Sequence, residues 1–142
     1  METVLSGIRS TGNLHLGNYY GALRNFIKMQ EEYQCFFFIA DYHSLTTHPN
    51  PHEMHGNVRN VLTEYLAAGI DPDKATIYVQ SDVPEIPELM WLLTCVTGKG
   101  LLNRAHAYKA SVDKNTAAQA QFFVTLLMYK NIYIEKCQSL SA

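Results

Sequence analysis

The sequence predicts an α/β fold, a Rossmann-like parallel sheet with helices on both faces. Three observations predict it. Short apolar runs alternate with amphipathic stretches in the order β-α-β-α-β-α, and right-handed crossovers join such strands into a parallel sheet. Residues 35–40 are an unbroken apolar run, CFFFIA, as a strand buried on both faces of such a sheet requires. A glycine-spaced polar loop joins the first apolar run to the first helix, and that connection leaves a helix N-terminus at the carboxyl edge of the sheet.

Residues 3–8 form the first strand. Residues 15–30 form a helix with Leu16, Tyr19, Tyr20, Leu23, Phe26 and Ile27 on its inner face, at spacings of three and four. Residues 35–40 are the second strand. Asn50-Pro51-His52-Glu53 starts the second helix: Asn50 can cap, Pro51 suits the first helical position, and Glu53 sits where a capping box places its acid. Met54, Val58, Val61, Leu62, Tyr65 and Leu66 form its buried stripe, and Gly69 is its C-terminal stop. Asp71-Pro72-Asp73 turns the chain into a third strand, residues 75–80. Pro84 and Pro87 punctuate the entry to a helix over residues 88–96, carrying Leu89, Leu92, Leu93 and Val96. Trp91, the only tryptophan, lies on the same apolar pattern and is assigned to the core.

With 142 residues, 47% of them apolar, the chain has room for one domain with a real core. Eleven basic against thirteen acidic residues give a net charge of −2, so any RNA contact comes from a local patch and not from an overall field. Cys35, Cys95 and Cys137 are odd in number and widely spaced, which fits a reducing compartment and no disulfide framework. No cysteine–histidine cluster has zinc spacing, no signal peptide is visible, and the apolar run at 35–40 is too short to span a membrane. The expectation is a soluble cytoplasmic protein without a membrane partner.

Chemistry concentrates in SGIRSTGNLHLGNYYGAL, residues 6–23. Helix-start N–H groups lack internal partners and sit at the positive end of the macrodipole, so a strand, a glycine loop and a helix start make a phosphate cradle. Gly12 and Gly17 leave room for close approach to the backbone, and His15 and Asn18, three apart, share one helix face. The bland alternative is a structural turn before a surface helix. The corners at Asp41–His43 and at residues 80–82 end on the same sheet edge as the loop at residues 9–13. Asp41 and His43 suggest either a polarised imidazole or a satisfied loop pair, and spacing alone favours the loop pair. His48, His52 and His55 are solvated histidines, since no cysteine or carboxylate completes a metal set. In the segment 98–109, Lys99, Arg104, Tyr108 and Lys109 form either a phosphate or RNA contact or a solvated face.

The string HLGN resembles the HIGH signature of class I aminoacyl-tRNA synthetases. The wider segment at residues 6–23 is similar to the N-terminus of the bacterial tryptophanyl branch of that family. IADYHSLT at residues 39–46, YLAAGIDP at 65–72 and IYVQSDVPE at 77–85 extend the resemblance over residues 3–115. Tyrosyl relatives share the architecture but not an N-terminus that enters directly at Ser-Gly-Ile. The resemblance implies a Rossmann-like ATP- and tryptophan-binding domain, incomplete, over residues 1–115. It implies that tryptophan is activated with ATP to the adenylate and passed to tRNA(Trp) by a cytoplasmic, homodimeric ligase. His15 and Asn18 are then the catalytic pair. Arg9, Ser10, Thr11, Gly17, Asn18 and Lys109 line ATP, and Leu5, Gly7, Ala40 and His43 line tryptophan. Magnesium rides on ATP oxygens, with no protein metal site.

From Ala117 the sequence reads AAQAQFFVTLLMYKNIYIEKCQSLSA, without the family's YP and AAD strings, and no KMSKS lysine motif occurs. Residues 116–142 are therefore expected to be an atypical tail of unknown fold, and the isolated chain is expected to be inactive or nearly so. The alternatives are a small HxGH-type nucleotidylyltransferase, which would carry histidine where Asn18 stands, and a non-catalytic ATP-binding fragment.

Overall fold

The computed structural model describes residues 2–45, 50–98 and 100. These fall in two units, the first ending at Asp82 and the second beginning at Val83. The tail at residues 116–142, Lys109 and His48 lie outside the described residues.

The first unit is a three-stranded parallel sheet in the order β1-β2-β3, with β1 at Thr3–Arg9, β2 at Gln34–Ala40 and β3 at Ala75–Val79. Register pairs Gly7 with Phe38 and Ile8 with Ile39, then Phe38 with Tyr78 and Ile39 with Val79. The first crossover is helical from Leu16 to Met29: α1 at Leu16–Asn18, a π turn at Tyr19–Leu23, and α2 at Arg24–Met29. The second comprises α3 at Asp41–Ser44 and α4 at Pro51–Ala68. Both crossovers step the same way across the sheet, so right-handedness puts α2 and α4 on one face. The core is there. Phe26 of α2 stacks on Phe37 of β2 at 4.4 Å and meets Tyr65 of α4 edge-on at 6.2 Å. Cys35, Phe37, Ile39, Val61 and Tyr65 are fully buried, and burial raises the Cys35 thiol above its ordinary pKa. Phe36, Phe38 and Tyr78 alternate to the opposite face, where they are half-buried.

Asn50 and Gly69 cap α4 as the sequence reading expects, but Glu53 does not close a capping box. Asn50 Oδ1 accepts the His52 N–H at 3.2 Å, while its Nδ2 donates to Glu53 at 3.0 Å, so the acid binds the cap side chain. Gly69 ends α4 with φ 107°, where only glycine is unstrained. Gln30 fixes this end from α2 by donating to the Gly69 carbonyl and accepting the Asp71 N–H.

Several expectations are corrected. Among the described residues of the first unit, α2 and α4 pack on one face of the sheet and not on both. Leu16 and Tyr20 are 76% and 62% exposed, and Tyr19 is exposed too, so the inner face begins at Leu23. Leu23 and Phe26, in its later turns, are the residues buried in the core. On α4, Leu62 and Leu66 flank the buried stripe and are exposed. In the second unit, α5 at Glu85–Val96 starts earlier than the prolines indicated, and Trp91 on it is 63% exposed and not core.

Tyr65 joins helix and sheet. Its hydroxyl accepts the Ile8 N–H at 3.0 Å and donates to the Phe38 carbonyl at 3.3 Å. Burial holds the phenol far above its ordinary pKa, so it stays a neutral donor. Replacing it by phenylalanine withdraws a buried partner from both backbone groups. Tyr65→Phe is expected to cost about 1–3 kcal/mol in urea-unfolding free energy. A cost below a few tenths would show that the bridge contributes nothing.

Candidate functional site

The three strand ends converge on the carboxyl edge and are tied together there. Ser10, just after β1, is fully buried, with its hydroxyl 2.9 Å from that of Ser44 on α3. Ser44 donates in turn to the Ala40 carbonyl at 3.2 Å. Asp41, also buried, accepts the Ser81 N–H at 3.2 Å and so ties α3 to the 3-10 turn at Gln80–Asp82. The same oxygen accepts the Tyr42 N–H at 2.9 Å. Asp41 thus holds two corners together, and Ser10 and Ser44 hold the third.

The loop between β1 and α1 carries the glycine signature. Gly12 has φ 106°, a conformation that side-chain-bearing residues avoid. At the helix start, Asn18 Oδ1 accepts the His15 N–H at 3.0 Å. That bond fixes the amide orientation and turns the two Nδ2 hydrogens away from the His15 backbone. The imidazole of His15 lies over Gly17, where a Cβ would come within 2.8 Å of the ring. His15 is exposed, and Leu16 and Gly17 provide helix-start N–H groups without intrahelical acceptors. Imidazole, amide donors and free N–H groups therefore gather at one positive helix end, an arrangement suited to an anion.

The other expected residues separate by sheet face. Leu5, Gly7 and Arg9 alternate along β1 onto the face opposite the core, beside Phe36, Phe38 and Ala40 of β2. Gly7 is required sterically: a Cβ would land on the Phe38 carbonyl oxygen and 2.7 Å from the Phe38 ring. That ring lies 6.0 Å from Tyr78, so Phe38 and Tyr78 make an aromatic floor beside Gly7. Sequence reading passed over both, although alternation in a buried strand assigns them to this face. His43 is half-buried on α3. Burial first, then the Arg9 guanidinium, lowers its pKa below the ordinary histidine value. Arg9 and Thr11 are exposed, whereas the Ser10 side chain faces inward to Ser44. Lys109 lies outside the described residues.

Among the described residues no three histidine, cysteine or acidic side chains gather as a metal site. None of the described helices is long and apolar enough to cross a membrane.

A family model described as tRNA synthetases class I (W and Y) matches residues 1–132. That span runs past residue 115, where the motif-by-motif resemblance ends. The chain is 61% identical over 114 residues to a tryptophan–tRNA ligase of Porphyromonas gingivalis, covering 80% of this chain and 35% of that protein. It is 50% identical over 137 residues to the tryptophan–tRNA ligase of Rickettsia felis, covering 95% and 42%. Among solved structures, tryptophanyl-tRNA synthetase from Campylobacter jejuni superposes with TM-score 0.83 at 40% identity, over 92% of this chain and 41% of that one. The same enzyme complexed with ADP and tryptophan gives TM-score 0.81 over 90% and 40%. The chain thus spans between a third and a half of the length of these relatives.

The lowered pKa of His43 has a consequence for stability. Its folded value lies below its unfolded value, so the stabilisation is full above the unfolded pKa, about 6.5, and is lost as pH falls through the folded value. The urea midpoint is expected to drop between pH 7.5 and pH 5, and His43→Gln is expected to reduce that drop. An NMR titration placing His43 at or above the ordinary value would overturn the assignment.

Proposed function

Because the chain belongs to the class I tRNA synthetases (W and Y), we propose that it forms the ATP- and tryptophan-binding part of an enzyme that joins tryptophan to tRNA(Trp). The observation that carries this reading is the HLGN turn: a fixed Asn18 amide, an exposed His15 imidazole and open helix N–H groups at a carboxyl sheet edge. The 61% identity to a tryptophan–tRNA ligase supports tryptophan as the amino acid.

In this reading His15 and Asn18 hydrogen-bond the ATP phosphates and stabilise charge as the tryptophan carboxylate displaces pyrophosphate. Catalysis of this kind is positioning and electrostatics, with no covalent enzyme intermediate. Arg9, Thr11 and Gly17 line the nucleotide, with Lys109 as a further contact. Ser10 acts through its tie to Ser44, which fixes the loop base. Leu5, Gly7, Ala40 and His43 face tryptophan, and a neutral imidazole at His43 can accept or donate a hydrogen bond there. Magnesium would be carried on ATP oxygens, which supply the hard donors it prefers. The cytoplasm is the proposed location, in keeping with Cys35 and Cys95 as free thiols. The assembled enzyme would be a homodimer. Residues 1–115 would be the substrate-binding domain; the expected tail at residues 116–142 lies outside the described residues.

Two measurements test this. Calorimetry is expected to show ATP and tryptophan binding, with ATP weakened about tenfold or more by His15→Ala, the loss of one charge-assisted contact. Tryptophan-dependent exchange of pyrophosphate into ATP is expected to be negligible for the 142-residue polypeptide. Absence of ATP binding at millimolar nucleotide would sink the reading. Exchange at the rate of an intact enzyme would refute the assigned dependence on the KMSKS lysines.

A further inference from the structure

The loop of residues 9–13 is held at both ends by two consecutive residues of α4. At its start, the Ile8 N–H donates to the Tyr65 hydroxyl at 3.0 Å. At its end, the Leu14 N–H donates to both carboxylate oxygens of Glu64, at 3.0 and 3.3 Å. Leu14 immediately precedes His15, whose own N–H is taken by Asn18. The N–H groups of Leu14 and His15 are therefore both spoken for, one across fifty residues of sequence and one within the turn.

We propose that Glu64 is a positioning residue, which sets the His15–Asn18 turn for ATP by fixing the Leu14 amide. The functional half of this rests on the reading of that turn as the ATP phosphate site. Leu14 stands between a finished strand and an unstarted helix, so neither element offers its N–H an acceptor. The acceptor has to come from a neighbouring helix, and Glu64 is the side chain of α4 that reaches it. A carboxylate near an anion site is electrostatically adverse. Its place there makes sense as a backbone acceptor, with both oxygens turned to one amide. The role therefore belongs to the acceptor geometry and not to the charge.

The test uses Glu64→Gln and Glu64→Leu in the 142-residue chain. Glu64→Gln keeps an acceptor of the same length and removes the charge; Glu64→Leu removes both. Amide hydrogen exchange at Leu14 is expected to stay slow in the wild type and Glu64→Gln, and to speed up about tenfold or more in Glu64→Leu. ATP affinity is expected to follow: within about twofold of wild type for Glu64→Gln, and about tenfold weaker for Glu64→Leu. Unchanged Leu14 exchange in Glu64→Leu overturns the clamp. Equal loss of ATP binding in both variants overturns the acceptor argument, because a neutral oxygen would then fail to hold the Leu14 amide. If Leu14 exchange responds but the wild type binds no ATP, the clamp stands and the ATP reading of the turn fails.

Discussion

One hydroxyl sets the geometry of the first unit. Parallel strands need a crossover helix, and the helix needs a fixed height above the sheet if its neighbours are to reach the strand ends. Tyr65 supplies that height. Its ring packs edge-on to Phe26, and its hydroxyl takes one backbone group from β1 and one from β2. Hydrophobic packing alone would leave α4 free to slide, because apolar contact is not directional. Two hydrogen bonds to backbone make it directional. Everything α4 then presents to the loop, Glu64 first, inherits the register of that bridge.

The sheet, its order of elements and the ends of α4 were legible because each rests on local chemistry. Asn50, Pro51 and Gly69 do at the helix ends what their side chains and dihedrals dispose them to do. The HLGN turn was legible for the same reason: its parts lie within four residues. What failed needed knowledge of where an element starts in space. Leu16 and Tyr20 fit a helical stripe, but both are exposed in the fold. The π turn at Tyr19–Leu23 adds to this by breaking the phase on which a stripe depends.

Pairings across long stretches of sequence were invisible. Glu64 reads as one more charged residue on a helix face, and nothing near it announces a partner at Leu14. Ser10 reads as a phosphate ligand beside a glycine loop, yet its side chain turns inward to Ser44. The influence of Arg9 on the His43 pKa likewise comes from the fold, since the two residues follow different strands. An α/β site is assembled from strand ends, so its shape follows from the ties among corners as much as from the residues that face the ligand.

The crossing of Gly7 and Phe38 carries an asymmetry. The obstruction at position 7 comes from two sources, the carbonyl of residue 38 and the ring it bears. Trimming the ring removes only one of them. A smaller side chain at position 38 would thin the aromatic floor it forms with Tyr78 without making room for a Cβ at position 7. The limit at position 7 is set by the backbone of the adjoining strand. The floor depends on its rings, while the gap that exposes it is fixed by the spacing of the sheet.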